Sequence, residues 1–404
     1  MAIERLDQIT NKKDQELIVL LQNLVRIPSW IPKKPADRLI QNENKVVDFI
    51  ESWIKSNTNF ETERQSLAGG RFNLIASKGK PDLIFLAHTD TVDLNPNAPY
   101  DQLAAEIHGG KIWGRGTTDM KSGIASMVQA MSLAPDANNV WAFFYADEEG
   151  DFLGMKGLVK DYSDLRPKFI VSSDGSDLSF GHGCRGLIEF RARIIGETGH
   201  PAKGTGKSAI LRGFEGIFEF RDYLSKLKHP QMGGTTLNIN PVLGGQFKSN
   251  SIDEDGHLNV VGEAANIVPD VMEFKVDIRP GVPNFRINDA IQKLKDSIQN
   301  QGLQFELIEK VHDYGSWYTD LSDIKEYAEI TRIITKSGET NIDNPGESGY
   351  IDLQMFWEKV GKPPAFMFGG GEGSTAHKPE EHIKIENLIK ERDFFKKILE
   401  MNSE

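Results

Sequence analysis

Short, wholly apolar runs that end in polar side chains constrain the fold of this chain most strongly. The run from Leu83 to Ala87 leads directly into His88, and Asp90 follows two positions later. Runs of this length without alternating polar residues are typical of strands that are buried on both faces, as in parallel sheets. Ligands of open α/β sheets collect beyond the carboxyl ends of such strands. His88 is therefore a candidate site residue, and Asp90 is close enough to orient its ring.

Three later apolar runs end in the same kinds of residue. The runs are 140–146, 169–171 and 365–368, and they lead respectively to Glu148 and Glu149, to Asp174, and through a Gly-rich loop to His377. Asp119 lies between another Gly-rich loop and a helix predicted over 121–133. Because the carboxyl ends of parallel strands meet at one edge of a sheet, we expect all of these side chains to converge.

The predicted cluster carries much negative charge. Its acidic members are Asp90, Asp119, Glu148, Glu149 and Asp174. The basic residues nearest to them within these segments are Arg115 and Lys121. Carboxylates packed this densely repel one another unless cations neutralise them, and two divalent metal ions would do so. Imidazoles and carboxylates without a thiolate suit Zn²⁺, with Mn²⁺ or Co²⁺ as alternatives.

The composition argues against several classes of protein. The 404 residues include 47 basic and 59 acidic side chains, a formal net charge of −12 that argues against a nucleic-acid partner. No apolar run approaches the roughly 18 residues of a membrane span, and the N-terminus has no apolar leader, so we expect no membrane partner and a cytoplasmic location. The only cysteine is Cys184, which excludes an intrachain disulfide and a cysteine-based zinc site.

The pattern changes in the middle of the chain. Residues 187–195 alternate between polar and apolar side chains, which is typical of a half-solvated antiparallel strand. A helix, two strands, a helix and a strand follow, and this βαββαβ order is a complete ferredoxin-like α+β unit. We therefore predict an α/β domain with a mostly parallel central sheet, formed by residues 1–184 and 312–404. The α+β domain would be inserted into it at 185–311.

The segments named above resemble the M20 metallopeptidase family, which includes deacetylases, desuccinylases, carboxypeptidases and aminoacylases. The matching motifs, in the order of the family, are His88-Thr89-Asp90, Gly114-Arg115-Gly116-Thr117-Thr118-Asp119-Met120-Lys121, Asp147-Glu148-Glu149, Asp174-Gly175 and Ala376-His377-Lys378-Pro379-Glu380-Glu381. They span nearly the whole chain. The resemblance implies a zinc-binding α/β domain interrupted by a smaller lid or dimerisation domain, and hence a homodimer.

The resemblance also implies a set of ligands for two zinc ions. Asp119 would bridge the two ions. His88 and Asp174 would complete the coordination of one ion, and Glu149 and His377 that of the other.

Further residues take roles from the same resemblance. Glu148 would be the general base, and Asp90 would fix the tautomer of His88 by accepting a hydrogen bond from its ring N–H. His200 resembles a histidine that stabilises the tetrahedral oxyanion, in dimeric relatives from the other subunit. Asn266 and Arg279 resemble a pair that holds the substrate carboxylate, although a salt bridge at the strand end is an alternative role for Arg279.

The predicted activity is hydrolysis of an amide bond in a small substrate with a free carboxylate, either an N-acyl amino acid or a short peptide. Asp174 favours dipeptidase-like and aminopeptidase-like relatives, whereas the length and the segment from Gly114 to Lys121 favour deacylases. Residues 346–352 match the family poorly and are expected to set substrate preference. A dimetal phosphoesterase would need more basic residues near the metals, and a non-catalytic binding protein would be expected to lose Glu148 or a ligand.

Overall fold

The structure is a computed structural model that describes residues 5–31, 43–337 and 339–402. Its α-helices are α1 (Lys12–Arg26), α2 (Glu43–Asn57), α3 (Lys121–Leu133), α4 (Leu153–Tyr162), α5 (Leu211–Leu224), α6 (Ile287–Asn300), α7 (Lys325–Thr335), α8 (Leu353–Lys359) and α9 (Ile385–Met401). Its strands are β1 (Glu61–Ser66), β2 (Phe72–Lys78), β3 (Leu83–His88), β4 (Glu106–His108), β5 (Lys111–Trp113), β6 (Val140–Tyr145), β7 (Phe169–Ser172), β8 (Phe180–Gly181), β9 (Gly183–Cys184), β10 (Leu187–Ile195), β11 (Lys228–His229), β12 (Gly233–Gly234), β13 (Thr236–Gly245), β14 (Val271–Arg279), β15 (Gln304–Tyr314), β16 (Trp317–Tyr318), β17 (Ala365–Phe368) and β18 (His382–Lys384). Within the described ranges, no helix is both long enough and apolar enough to cross a lipid bilayer.

The chain forms two compact units. The first unit comprises residues 1–182, 319–343 and 351–404, and the second comprises 183–318 and 344–350. The second unit thus extends beyond both ends of the segment predicted as the inserted domain, because β15 continues to Tyr314 and the short β9–β16 pair lies in the same unit.

The first unit is built on a seven-stranded sheet with the strand order β1-β2-β6-β3-β7-β17-β8. Neighbouring strands among β6, β3, β7 and β17 are parallel, whereas β2 and β8 join them antiparallel. Strand β3, the apolar run that ends in His88, lies in the middle, and all six of its residues are buried. The predicted α/β fold class is confirmed, with a sheet that is parallel at its centre and antiparallel at its edges.

Helices cover both faces of this sheet. On one face, Phe85 of β3 packs edge to face against Phe395 of α9, with ring centroids 5.7 Å apart. On the other face, Phe143 of β6 packs against Phe356 of α8, with centroids 5.5 Å apart. Successive side chains of a strand point to opposite faces, so a sheet covered on both sides requires strands without polar positions. This requirement explains the uninterrupted apolar runs in the sequence.

The second unit is a four-stranded antiparallel sheet with the strand order β13-β14-β10-β15. Along the chain, β10, α5, β13, β14, α6 and β15 give the predicted βαββαβ order. One face of the sheet packs on α5 and α6 around a buried cluster that includes Phe190, Phe220 and Phe274. The opposite face carries the polar positions of the alternating strands, as the sequence pattern predicts.

Candidate active site

The carboxyl ends of the central parallel strands carry the polar residues that the sequence analysis singled out. His88 is the last residue of β3, Glu148 and Glu149 follow β6, Asp174 follows β7, and the loop after β17 leads to His377. Asp119 lies two residues before α3. All six residues belong to the first unit. The structure therefore brings together, at one edge of a single sheet, side chains that are almost 300 positions apart in sequence.

Asp119 is at the centre of this cluster. Its Oδ1 lies 2.9 Å from Nε2 of His88, and its Oδ2 lies 2.9 Å from Nε2 of His377. The same nitrogen of His377 lies 2.9 Å from Oε1 of Glu149. The peptide bond that follows Asp119 is cis. The structure contains three groups of side chains whose donor atoms lie within 4.8 Å of one another inside each group. The groups are His88, Asp119 and Asp174; Asp119, Glu149 and His377; and His88, Glu148 and Glu149.

Asp90 is fully buried, and its carboxylate makes contacts in addition to the predicted one with His88. Its carboxylate accepts hydrogen bonds from the backbone N–H groups of Glu148 (3.1 Å) and Glu149 (2.9 Å). The Nδ1 atom of His88 lies 3.1 Å from the backbone oxygen of Asp90 and 3.5 Å from its carboxylate. The ring of His88 thus lies beside both the carbonyl and the carboxylate of Asp90, and the carboxylate also holds the turn that carries the two glutamates.

The histidines and Asp119 shift one another's pKa. Hydrogen bonds to Asp119 and Glu149 raise the pKa of His377 to about 10. Burial lowers the pKa of His88, but hydrogen bonds to Asp119 and Asp90 outweigh burial and raise it well above the usual value. Burial alone would raise the pKa of Asp119, yet the two histidines hold it below its usual range. The cluster therefore favours an ionised Asp119 between two cationic partners.

Burial and like charges raise the pKa of other carboxyl groups nearby. Burial, and then the charge of Asp352, raise the pKa of Glu148 well above its usual value. Burial, and then Asp119, raise the pKa of Asp174 to about 7. Asp352 itself is buried, accepts the hydroxyl hydrogen of Tyr145 at 2.7 Å, and has its pKa raised by burial to about 8. The sequence analysis did not assign a role to Asp352, whose only signal was its place at the end of segment 346–352.

The turn that carries Glu148 and Glu149 has a second support, which the sequence analysis missed. Glu43 accepts the backbone N–H of Asp147 at 3.1 Å. Nη1 of Arg71 lies 3.1 Å from the Glu43 carboxylate and 2.9 Å from the Asp147 carboxylate. No local sequence pattern predicts this network, because its three members come from a helix, the start of a strand and a turn.

The two basic residues that are closest to the cluster in sequence bind other groups. Nη1 of Arg115 lies 2.5 Å from the carboxylate of Glu381. Lys121 is fully buried, and its ammonium group donates to the backbone oxygens of Leu24 (3.0 Å) and Ile27 (2.7 Å). Within the part of the chain that the structure describes, neither residue forms an ion pair with the cluster carboxylates. Neither residue therefore neutralises the carboxylates at this sheet edge by direct pairing.

Glycines allow the loops of the cluster to touch through their backbones. A Cβ atom on Gly371 would lie 2.6 Å from Cα of Thr118, and one on Gly369 would lie 2.0 Å from the backbone oxygen of Gly175. Such distances are far below van der Waals contact, so a side chain at either position would separate the loops. His377 itself has a positive φ of 61°, a conformation that costs energy for a residue with a side chain and that is found at functional sites.

The other predicted site residues lie in the second unit and are not among the side chains that the first unit brings together. His200 is exposed, and its Nδ1 accepts the backbone N–H of Ala202 at 3.2 Å. Asn266 is exposed in a turn. The guanidinium of Arg279 donates from Nε and Nη2 to the carboxylate of Asp277, at 2.9 Å each. Arg279 thus forms the strand-end salt bridge that the sequence analysis kept as an alternative.

Comparison with known families decides the class of the protein. The model of the family described as "Peptidase family M20/M25/M40" matches residues 84–401, a segment that includes the whole cluster from His88 to His377. The chain belongs to this peptidase family. The M20 assignment makes the protein a hydrolase that acts on amide or peptide bonds.

Individual relatives of this M20 family member agree with its fold. The acetylornithine deacetylase of Pasteurella multocida (strain Pm70) is 25% identical over 407 residues, covering 96% of this chain and 98% of the relative. The crystal structure of aminopeptidase PepT from Bacillus cereus ATCC 10987 has a TM-score of 0.72 at 20% identity, over 97% of this chain and 99% of that chain. The M20 family metallo-carboxypeptidase Sso-CP2 from Sulfolobus solfataricus has a TM-score of 0.71 at 16% identity, over 96% and 99%.

Proposed function

We propose that this M20 family member is a dimetal amidohydrolase that cleaves an amide bond in a small substrate with a free carboxylate. The position of Asp119 carries the proposal. Its two carboxylate oxygens each lie 2.9 Å from Nε2 of a different histidine, His88 and His377. A carboxylate between two imidazoles, with further carboxylates beside each, is a donor set suited to a pair of divalent ions.

The neighbouring donors fit two metal positions. His88 and Asp174 form one group with Asp119, and Glu149 and His377 form a second group with Asp119. The donor atoms of each group lie within 4.8 Å of one another. Imidazole nitrogens and carboxylate oxygens without a thiolate suit Zn²⁺, and Co²⁺ or Mn²⁺ accept the same donors. Ions held by these residues would polarise the amide carbonyl and lower the pKa of the attacking water.

Glu148 is the proposed general base. Its carboxylate lies within 4.8 Å of donor atoms of His88 and Glu149, and Asp90 fixes its backbone N–H. A half-buried carboxylate at this position can take a proton from the attacking water and return it to the nitrogen of the leaving amine. Burial and the charge of Asp352 raise the pKa of Glu148, which makes its carboxylate a stronger base for the first of these transfers.

The second unit supplies the groups proposed to hold the substrate. The planar guanidinium of Arg279 can bind a carboxylate in bidentate fashion, and Asn266 would donate an amide hydrogen bond. Because Asp277 already occupies Nε and Nη2 of Arg279, a substrate carboxylate would have to displace Asp277 or use the remaining nitrogen. His200 is proposed to stabilise the developing oxyanion, supplied by a second copy of the chain.

We also propose a homodimer formed through the second unit and, because the chain has a single cysteine, a cytoplasmic location. Strand β13 is the outer strand of its sheet, and helix α5 exposes Leu211 (57%) and Phe218 (50%). Exposed apolar side chains beside a sheet edge are features of subunit interfaces. The variant Phe218→Glu should therefore be monomeric in sedimentation equilibrium, with Glu219→Gln on the same helix as control. A native protein that is monomeric and fully active would contradict both the dimer and the role of His200.

Two substrate classes have support. Acetylornithine deacetylases, whose alignments cover 96% of the chain at 24–25% identity, support an N-acyl amino acid as substrate. The fold likeness to an aminopeptidase and a carboxypeptidase, together with Asp174 as a ligand, supports short peptides. We place the N-acyl amino acid or carboxypeptidase-type substrate first and keep dipeptidase or aminopeptidase activity as the alternative.

The proposal is tested by metal titration and substrate profiling of the same preparation. Chelator-treated protein is titrated with Zn²⁺ and with Co²⁺, and release of amine from N-acetyl amino acids, dipeptides and tripeptides is measured at each stoichiometry. We expect two ions per chain and hydrolysis of at least one amide class. Binding of a single ion would contradict the dimetal centre. Hydrolysis of p-nitrophenyl phosphate without any amide hydrolysis would contradict the reaction class.

A further inference from the structure

Glu381 connects the two chain segments that carry Asp119 and His377. Its Oε1 accepts the backbone N–H groups of Gly116 (3.0 Å), Thr118 (2.9 Å) and Asp119 (3.2 Å). One carboxylate oxygen thus receives three donors from the loop that ends in the central carboxylate of the cluster. Glu381 itself lies four residues after His377, so the same side chain belongs to the segment of a second ligand candidate.

Further hydrogen bonds join the same two segments. Oε2 of Glu381 lies 2.5 Å from Nη1 of Arg115, and its backbone oxygen accepts the N–H of Gly114 at 3.1 Å. The hydroxyl of Thr118 donates to the backbone oxygen of His382 at 3.0 Å. The loop 114–119 is therefore attached along its length to the segment that follows His377, and Glu381 accounts for most of the attachments.

The burial of this link makes it stiff. Glu381 is 1% exposed and Arg115 is 2% exposed, so their charge-assisted hydrogen bonds are not weakened by competing water. If the carboxylate were lost, several backbone donors would be left buried without a strong acceptor, which is unfavourable. The loop would then rearrange until these donors found other partners, and the Asp119 backbone would move with it.

We propose that Glu381 is a positioning residue of the dimetal centre, which sets the spacing between the central carboxylate Asp119 and the ligand His377. The inference rests on the proposed function, since the metal centre is itself proposed. Asp119 must present one oxygen to each metal position, and His377 comes from a segment 258 residues further along the chain. A group that fixes both backbones therefore acts on both metal positions without touching either ion.

The decisive variant is Glu381→Gln, measured by metal binding and not only by activity. The amide oxygen keeps one neutral acceptor for the loop, but the amide nitrogen opposes the guanidinium of Arg115, donor against donor. We expect the affinity for both ions, measured by competition with a chromophoric chelator, to fall about 10- to 100-fold. We also expect the visible absorption of the Co²⁺-loaded variant to differ from that of the native protein, because the ligand geometry changes.

Glu273→Gln is the matched control. Glu273 is also a buried glutamate that pairs with an arginine, Arg193 at 2.7 Å, and accepts a backbone N–H, that of Leu258 at 3.0 Å, but it lies in the second unit. It should lose thermal stability and keep native metal affinity and a native Co²⁺ spectrum. If Glu381→Gln behaves in the same way, Glu381 is only structural and the proposal is overturned.

A milder variant keeps the proposal testable if Glu381→Gln does not fold. Glu381→Asp keeps the negative charge but shortens the side chain by one methylene, which draws the carboxylate away from the N–H groups of Gly116, Thr118 and Asp119. It should weaken metal binding several-fold, and unchanged affinity would overturn the proposal in that case. Native protein that binds two ions but hydrolyses no amide would refute the proposed activity without affecting this inference. Native protein that binds no ions would refute the metal centre before any variant is compared.

Discussion

Buried or half-buried carboxylates occur in both units of the protein, but their partners differ. In the second unit, Glu273 is 3% exposed and lies between two arginines, the nearer being Arg193 at 2.7 Å. In the first unit, Asp119 lies between two histidines, His88 and His377, at 2.9 Å each. Arginine is always charged, so the negative charge of Glu273 is already neutralised by its arginine partners. Imidazole is charged only when it binds a proton, so the cluster of the first unit can exchange protons for metal ions.

A third arrangement shows that burial of an acid alone does not make a metal site. Glu391 of α9 is fully buried in the first unit, where Ser126 donates to its carboxylate at 2.9 Å. Burial raises the pKa of Glu391 to about 8, so a proton neutralises it at neutral pH. Glu273, Glu391 and Asp119 are thus neutralised respectively by arginine, by a proton and, as we propose, by metal ions. Histidines within reach of several carboxylates distinguish the last case.

The largest predicted effect is the loss of activity on removing the proposed base. Glu148→Gln should lower kcat for amide hydrolysis by about 10³- to 10⁴-fold, since the amide cannot accept the proton of the attacking water. Metal stoichiometry should stay at the native value, measured by elemental analysis of the dialysed protein. Glu189→Gln, a change to a glutamate paired with Lys275 in the second unit, is the control and should keep native kcat. Full activity of the Glu148 variant would contradict its role as general base, and with it the contrast between the catalytic carboxylates of the first unit and the structural ones of the second.

The next largest effect is on the pH dependence of stability through Glu391. The folded-state pKa of about 8 lies above the ordinary value of 4.5, so the folded state binds the proton more tightly than the unfolded chain. The contribution of this group to stability is complete below about pH 4.5 and is lost as the pH rises to about 8. Glu391→Gln should therefore gain stability relative to native protein across this window, by at most about 5 kcal/mol at high pH.

Chemical denaturation at several pH values checks this prediction. Glu386→Gln is a suitable control, because Glu386 lies on the same helix with its side chain 74% exposed. Its difference from the native protein should show no comparable gain between pH 4.5 and 8. If the stability difference of Glu391→Gln is independent of pH, Glu391 is not neutralised by a proton and the third arrangement is wrong.

The sequence predicts the fold best where burial alone determines the secondary structure. The predicted bounds of α3, β10 and β17 agree with the structure, and the apolar part of β3 was also found. These elements have a continuous apolar run, an alternating pattern or a run of small residues that packs on the sheet. The edge strand β1, with the sequence Glu-Thr-Glu-Arg-Gln-Ser, was missed because its stability comes from hydrogen bonds to β2 and not from an apolar pattern.

For the site, the sequence predicts the residues that end strands but not the residues that hold them. The cluster from His88 to His377 follows from strand ends and the motifs between them. The supporting contacts of Glu43 and Asp352 join positions 104 and 207 residues apart, and no spacing rule connects such positions. The sequence analysis also named Arg115 as one of the two basic residues nearest to the cluster, whereas tertiary packing pairs it with Glu381.

Metal binding should stabilise the first unit selectively. Zn²⁺ at 100 times its dissociation constant should raise the free energy of unfolding by about 2.7 kcal/mol for each site that binds only the folded state. Amide hydrogen exchange should then slow in the turns around Asp119 and Glu148. The amides of β10 and β14 that exchange by local opening should keep the rates that they have without metal. Equal protection of both units, or protection confined to the second, would show that the ions bind elsewhere.

The smallest predicted effect concerns Arg279 and decides whether its salt bridge is structural or a resting state of a substrate site. If Arg279 binds the substrate carboxylate, Arg279→Met should raise KM about tenfold with little change in kcat, because the contact is equally strong in ground and transition states. Asp277→Asn is the matched variant, since it frees the guanidinium and should lower KM or leave it unchanged. A merely structural bridge, with both side chains partly exposed, contributes about 0–1 kcal/mol. In that case the two variants would show similar small losses of thermal stability and native KM, and the second unit would contain no substrate contact at this position.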